Sequence, residues 1–119
     1  MDQEEYRYYT ASSMPVFAFA SQAKGFFQKY AADGEGALSP KAKDRYLCAQ
    51  NIAMYEKLST LSKEFGISLS TAVLAVLTSN TDFDTVAIVG CKSIEQLKDS
   101  MAGADTRLPY REIKQLLGY

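Results

Sequence analysis

Gly90-Cys91-Lys92-Ser93 is a short stretch equipped to meet a phosphate. Residues 85–89 before it are β-branched and apolar and read as a buried strand. Gly90 breaks the run and puts no side chain in the way of a close approach. Ser93 then opens a helix. With Gln96 three residues on it fits a capping box, and Ile94, Leu97 and Met101 fall on one face. A strand entering a helix N-terminus through a glycine turn presents backbone N–H groups that suit an anion, and Lys92 adds a positive charge. The turn is therefore expected to hold a nucleotide phosphate. The plainer reading is a capping box beside a solvated lysine, and both can hold together.

Other chemistry is limited by composition. The 119 residues contain no histidine, which removes Ser-His-Asp and Cys-His catalysis and the usual zinc sites. Cys48 and Cys91 stand in no metal-like spacing and fit reduced thiols, hence a cytoplasmic location. A net charge of −1, with Lys and Arg spread along the chain, argues against a general nucleic-acid or anionic-membrane binder. No apolar run reaches spanning length, and the acidic, polar start MDQEEYRYY is no signal peptide.

The elements that must position the turn follow from periodicity. Residues 2–12 fit a short helix packing through Tyr6 and Tyr9. Residues 16–20 are a strand candidate after Pro15. A loop is expected afterwards, marked by Gly34, Gly36 and Pro40. From 44 to 65 the apolar steps are helical through Leu47, Met54, Tyr55, Leu58, Leu61 and Phe65, and Gly66 ends them. Ser68 caps a second helix to about 79 whose apolarity all round means deep burial. Pro109 starts a last helix with Ile113, Leu116 and Leu117 inward. Strand–helix–strand order implies parallel strands. Two strands apolar on both faces make a poor sheet alone, so the sequence looks like part of something larger.

Two stretches resemble the aldo-keto reductase family in its C-terminal portion. PVFAFASQAKGFF is similar to the family's apolar strand followed by Ala-Tyr-Ser-Pro-Leu, small or basic residues and Gly-Phe-Leu. EKLSTLSKEFGISLSTAVLAVLTSN and TVAIVGCKSIEQLKDSMAGADTRLPYREIKQL resemble its ending: a helix closing on Glu-x-Gly-Ile-Ser, a buried Ala/Leu helix, then Ile-Pro-Gly-x-Arg/Lys-Ser-x-Glu-Gln-Leu, with Val89 in place of the Pro, and a final Leu-containing helix. The resemblance covers most of the chain outside residues 31–43.

That family is a (β/α)8 barrel reducing carbonyls with NADPH. The resemblance implies an α/β chain that is the C-terminal fragment of a TIM barrel, two parallel strands with surrounding helices over residues 1–119. Its parts would be strand 16–20, cofactor loop 21–43, helices 44–79, strand 85–89, and helices 93–102 and 109–117. Both strands would end at the barrel mouth. Phe19 stands where the family has a Tyr stacked on the nicotinamide. Ala20, Ser21 and Gln22 stand for Ser-Pro-Leu, and the family's serine hydroxyl is missing at Ala20. Lys24 and Gly25 match a basic-Gly pair. Lys92 matches the residue that meets the 2′-phosphate, with Gly90 before it and Ser93 after it. Gln96 matches a cofactor-side polar residue, and Ser100 replaces an Asn that meets the adenine. Nothing matches the family's catalytic Asp, Tyr, Lys and His.

The resemblance thus implies the NADP(H)-binding side of a reductase for a small carbonyl substrate. The chain alone should be inactive and should bind cofactor weakly or not at all. Two other classes remain open. One is a non-catalytic interaction fragment, docking or self-associating through bare strand edges. The other is helix-turn-helix, since LSKEFGISLSTAVLAVL scans as two helices around a turn, although its second helix has no Lys or Arg.

Overall fold

Asp2 opens the first helix. Its carboxylate accepts from the Glu5 N–H and that of Glu5 accepts from the Asp2 N–H, both at 2.9 Å, a reciprocal box that starts α1 (Gln3–Ser12). Tyr6 and Tyr9 pack as expected, their rings 5.1 and 5.7 Å from that of Phe83. The computed structural model describes residues 1–118. They form an α/β fold of two parallel strands and seven α-helices.

Strands β1 (Val16–Ala18) and β2 (Thr85–Ala87) lie side by side and parallel, with Phe17 opposite Val86. Both are shorter than the expected 16–20 and 85–89. Ala20 takes a left-handed φ of +53°, which turns the chain away, and β2 then has no partner to continue along. The two apolar faces of the strands differ in burial. Val16, Ala18, Thr85 and Ala87 are half-buried on the face that carries the helices, whereas Phe17 and Val86 alternate onto an exposed face.

The stretch 21–43, expected as a cofactor loop, is mostly helical. It holds a 3₁₀ turn (Ala23–Gly25), α2 (Phe26–Asp33), a second 3₁₀ turn (Gly34–Ala37) and the start of α3 (Pro40–Tyr46). Aromatic packing explains it: Phe26 is fully buried, stacked on Tyr30 at 5.7 Å and 6.0 Å from Tyr46. Pro40 sits at the start of α3, where the Ser39 hydroxyl accepts from the Ala42 N–H. The expected helical run from 44 to 65 is therefore two helices. Leu47 and Cys48 interrupt it, Asn51 Nδ2 donates to the Tyr46 carbonyl at 2.7 Å across the break, and α4 (Ala49–Phe65) follows.

Ser68 caps α5 (Leu69–Thr78) by accepting from the Thr71 N–H at 2.9 Å. Every residue from Thr71 to Val76 is buried, as the all-round apolarity requires. Helices α4 and α5 meet at 98°, but α5 is core and has no open face to enter a DNA groove. In α6 (Ile94–Asp105) the apolar stripe of Ile94, Leu97 and Met101 points outward. Its inward face is small instead: Ser100 and Gly103 are buried, and a Cβ on Gly103 would stand 2.7 Å from Leu74 Cβ. Close approach to α5 selects the small residues. The last helix, α7 (Tyr110–Leu117), buries Ile113 and Leu116 as expected. Among the described residues no single helix is long and apolar enough to cross a membrane.

Candidate functional site

A cleft of about 900 Å³ lies beyond the C-terminal ends of β1 and β2. One wall is the turn after β1 with the first turns of α2; the other is the turn after β2 with α6. Phe19, Ala20, Gln22, Lys24, Gly25, Gly90, Lys92, Gln96 and Ser100 all line it. These residues come from stretches some seventy positions apart, brought together because parallel strands end at the same side of a sheet. Ser93 alone among the sequence candidates stays off the wall. Its hydroxyl is engaged in capping, accepting from the Gln96 N–H at 3.2 Å.

The expected capping box at Ser93 is displaced by one residue. Gln96 Oε1 accepts at 2.8 Å from the N–H of Lys92, not from that of Ser93. The turn is thereby clamped from both sides, with the Lys92 side chain exposed at the cleft. Opposite, Ala20, Ala23 and Lys24 hold φ values of +53°, +47° and +54°, and Gly25 follows at +76°. Three non-glycine residues in the left-handed region cost on the order of 1–2 kcal/mol each. Such strain persists where surrounding contacts enforce it. Here the Ser21 hydroxyl donates to the Ile88 carbonyl at 2.9 Å and Gln22 Nε2 to Ser70 Oγ at 3.0 Å, tying the β1 turn to the β2 turn and to α5.

Charge in the cleft is lopsided. Lys24, Lys29 and Lys92 face one carboxylate, that of Asp99, which is occupied in accepting from Ser68 and Thr71 at 2.6 and 3.1 Å. Lys29 Nζ rests 3.3 Å from the Lys24 carbonyl. Gln28 Oε1 on the same wall is buried with no partner among the described residues. Phe19 is 77 % exposed.

The arrangement can take an elongated polyanion carrying a flat ring. The volume lies in the range of cofactor sites, the cations suit phosphates, and the bare Phe19 ring offers a stacking face. Two positions contribute less than the resemblance implies. Ala20 has no hydroxyl, and Ser100 is buried with its hydroxyl 3.7 Å from Cys91 Sγ.

Gln28, Lys29, Ser70 and Asp99 also line the cleft and are absent from the sequence candidates. Asp99 was legible, since it shares a helical face with Gln96 and Ser100. Gln28 and Lys29 were not, because α2 was unrecognised.

A second polar cluster lies at the opposite end of the strands. Asp82 precedes β2 and accepts from Tyr6 at 2.6 Å, Tyr110 at 2.7 Å and Lys114 at 2.8 Å. Burial pushes Tyr6 up to about 12, with the Asp82 carboxylate adding to it. Burial alone would raise Asp82, but the Lys114, Tyr6 and Tyr110 hydrogen bonds outweigh it and hold the carboxyl at about 2. A tyrosine so committed is a poor proton donor. The cluster joins α1, the approach to β2 and α7, and serves the fold.

A comparison with protein-family models matches the aldo/keto reductase family over residues 2–118. No curated protein and no solved structure gives a match. The matched span includes both strands, all seven helices and every residue lining the cleft. The chain belongs to the aldo/keto reductase family.

Proposed function

We propose that this chain is the cofactor-side C-terminal portion of an NADP-dependent (β/α)8 reductase, supplying its last two βα units. The observation that carries this is one cleft with three lysines at the C-terminal ends of two parallel strands, where barrel enzymes of this architecture place their sites. Bound there, NADPH would supply the hydride for a small carbonyl substrate. Lys92 would meet the 2′-phosphate and the turn at Ala20–Gly25 the pyrophosphate, with Phe19 against the nicotinamide. Gln96 would hold the Lys92 turn in shape through its bond to the Lys92 N–H.

Nothing in the sequence matches the family's catalytic Asp, Tyr, Lys and His. The chain's Tyr–Asp–Lys cluster lies at the wrong end of the strands, with the tyrosine proton committed to Asp82. The purified chain should therefore show no turnover with NADPH and a generic aldehyde. It should bind NADP+ weakly, with Kd around 1 mM, about −4 kcal/mol. Amide chemical-shift titration reads this directly. Perturbations confined to the cleft and abolished by Lys92→Glu are the expected result. Reduction of the aldehyde, or shifts that ignore Lys92→Glu, would overturn the reading.

A further inference from the structure

The 2′-phosphate of a phosphorylated dinucleotide is carried on the same ribose as the adenine. With Lys92 meeting that phosphate, as proposed above, the base lies against the adjoining wall of the cleft. That wall is α6, and its polar residues beside Lys92 are Gln96, Asp99 and Ser100.

All three are engaged by the protein itself. Gln96 Oε1 accepts from the Lys92 N–H at 2.8 Å. Asp99 Oδ1 accepts from the Ser68 and Thr71 hydroxyls at 2.6 and 3.1 Å. Ser100 is buried, its hydroxyl 3.7 Å from Cys91 Sγ. Two groups of these side chains have no hydrogen-bond partner among the described residues, the Gln96 amide NH2 and the second Asp99 oxygen. One donates and the other accepts, and three residues apart on a helix they share a face. An amine at position 6 of a purine finds Asp99 there, and a carbonyl finds Gln96. Gln96 is exposed and Asp99 half-buried, so water competes at both. Strong rejection of a wrong ligand, on the order of 10⁴-fold, needs a buried polar group that the wrong ligand leaves unpaired. The free groups of this wall are wet and complementary to either base.

Phosphates meet the reverse situation. Lys24 and Lys92 are exposed at the cleft, and their ammonium groups have no hydrogen-bond or ion-pair partner among the described residues. We infer, on the basis of the cofactor reading, that this chain recognises its ligand by phosphate and leaves the purine base unread, so that it takes 2′-phosphorylated dinucleotides whether position 6 of the base carries an amine or a carbonyl.

The test is amide chemical-shift titration of the purified chain with three probes: NADP+, deamino-NADP+, in which hypoxanthine replaces adenine and nothing else changes, and NAD+. The Kd values of NADP+ and deamino-NADP+ should agree within about fivefold, the size of one solvent-exposed hydrogen bond. NAD+ should bind about tenfold more weakly or worse, because it lacks the phosphate that faces Lys92. A larger gap between NADP+ and deamino-NADP+, in either direction, overturns this inference and leaves the cofactor reading standing. Equal binding of NAD+ and NADP+, or shifts in the cleft from none of the three, overturns both.

Discussion

Replacing Asp82 by Asn tests how the fold is closed. Asp82 is the common acceptor for Tyr6 of α1 and for Tyr110 and Lys114 of α7, and Lys114 Nζ also lies 4.7 Å from the centre of the Tyr6 ring. Its carboxyl is held at about 2 against an ordinary 3.8. A depression of that size corresponds to about 2 kcal/mol of stability. The sign follows from linkage. The unfolded chain binds the proton more readily, so the contribution is complete above about pH 4 and is lost as pH falls through about 2. Asn keeps an acceptor for the tyrosines but loses the charge that Lys114 faces. Urea unfolding followed by circular dichroism, at one chain concentration, should show Asp82→Asn about 2 kcal/mol less stable at pH 7. The gap should shrink below pH 4 and approach zero near pH 2. An equal gap at pH 7 and pH 2 would mean that packing, not charge, carries the effect; no gap at pH 7 would mean the cluster does not hold the fold together.

Three other substitutions have defined outcomes. Gly103→Ala puts a methyl 2.7 Å from Leu74 Cβ, so α6 must move off α5; a loss of about 1–3 kcal/mol is expected, and an unchanged or raised melting temperature counts against that packing. Ser93→Ala removes the hydroxyl that accepts from the Gln96 N–H and should cost about 1 kcal/mol in a thermal melt. Phe19→Ala leaves folding nearly unchanged because the ring is 77 % exposed, yet it should weaken NADP+ binding in the shift titration; equal binding would remove Phe19 from the site.

Local signals in the sequence were decisive where the physics is local. The cap at Ser68, the stop at Gly66 and the buried run of α5 depend on residues within a turn or two of one another and appear as read, and Ser93 caps α6 although Gln96 returns to the Lys92 N–H instead of its own. The parallel pairing of residues 16–18 with 85–87 followed from β-strand composition and the helices between. The ordered series of motifs was enough to point to the family. Tertiary structure alone settled which surfaces meet. Residues 21–43 became helical because Phe26 and Tyr46 pack together from different helices, a contact that glycine and proline punctuation cannot report. Asp82 gathers donors from positions 6, 110 and 114, which no window along the chain contains. Apolarity says that a side chain gains by being covered but not what covers it. In α6 the approach to α5 chose Ser100 and Gly103, and Ile94, Leu97 and Met101 were left facing outward.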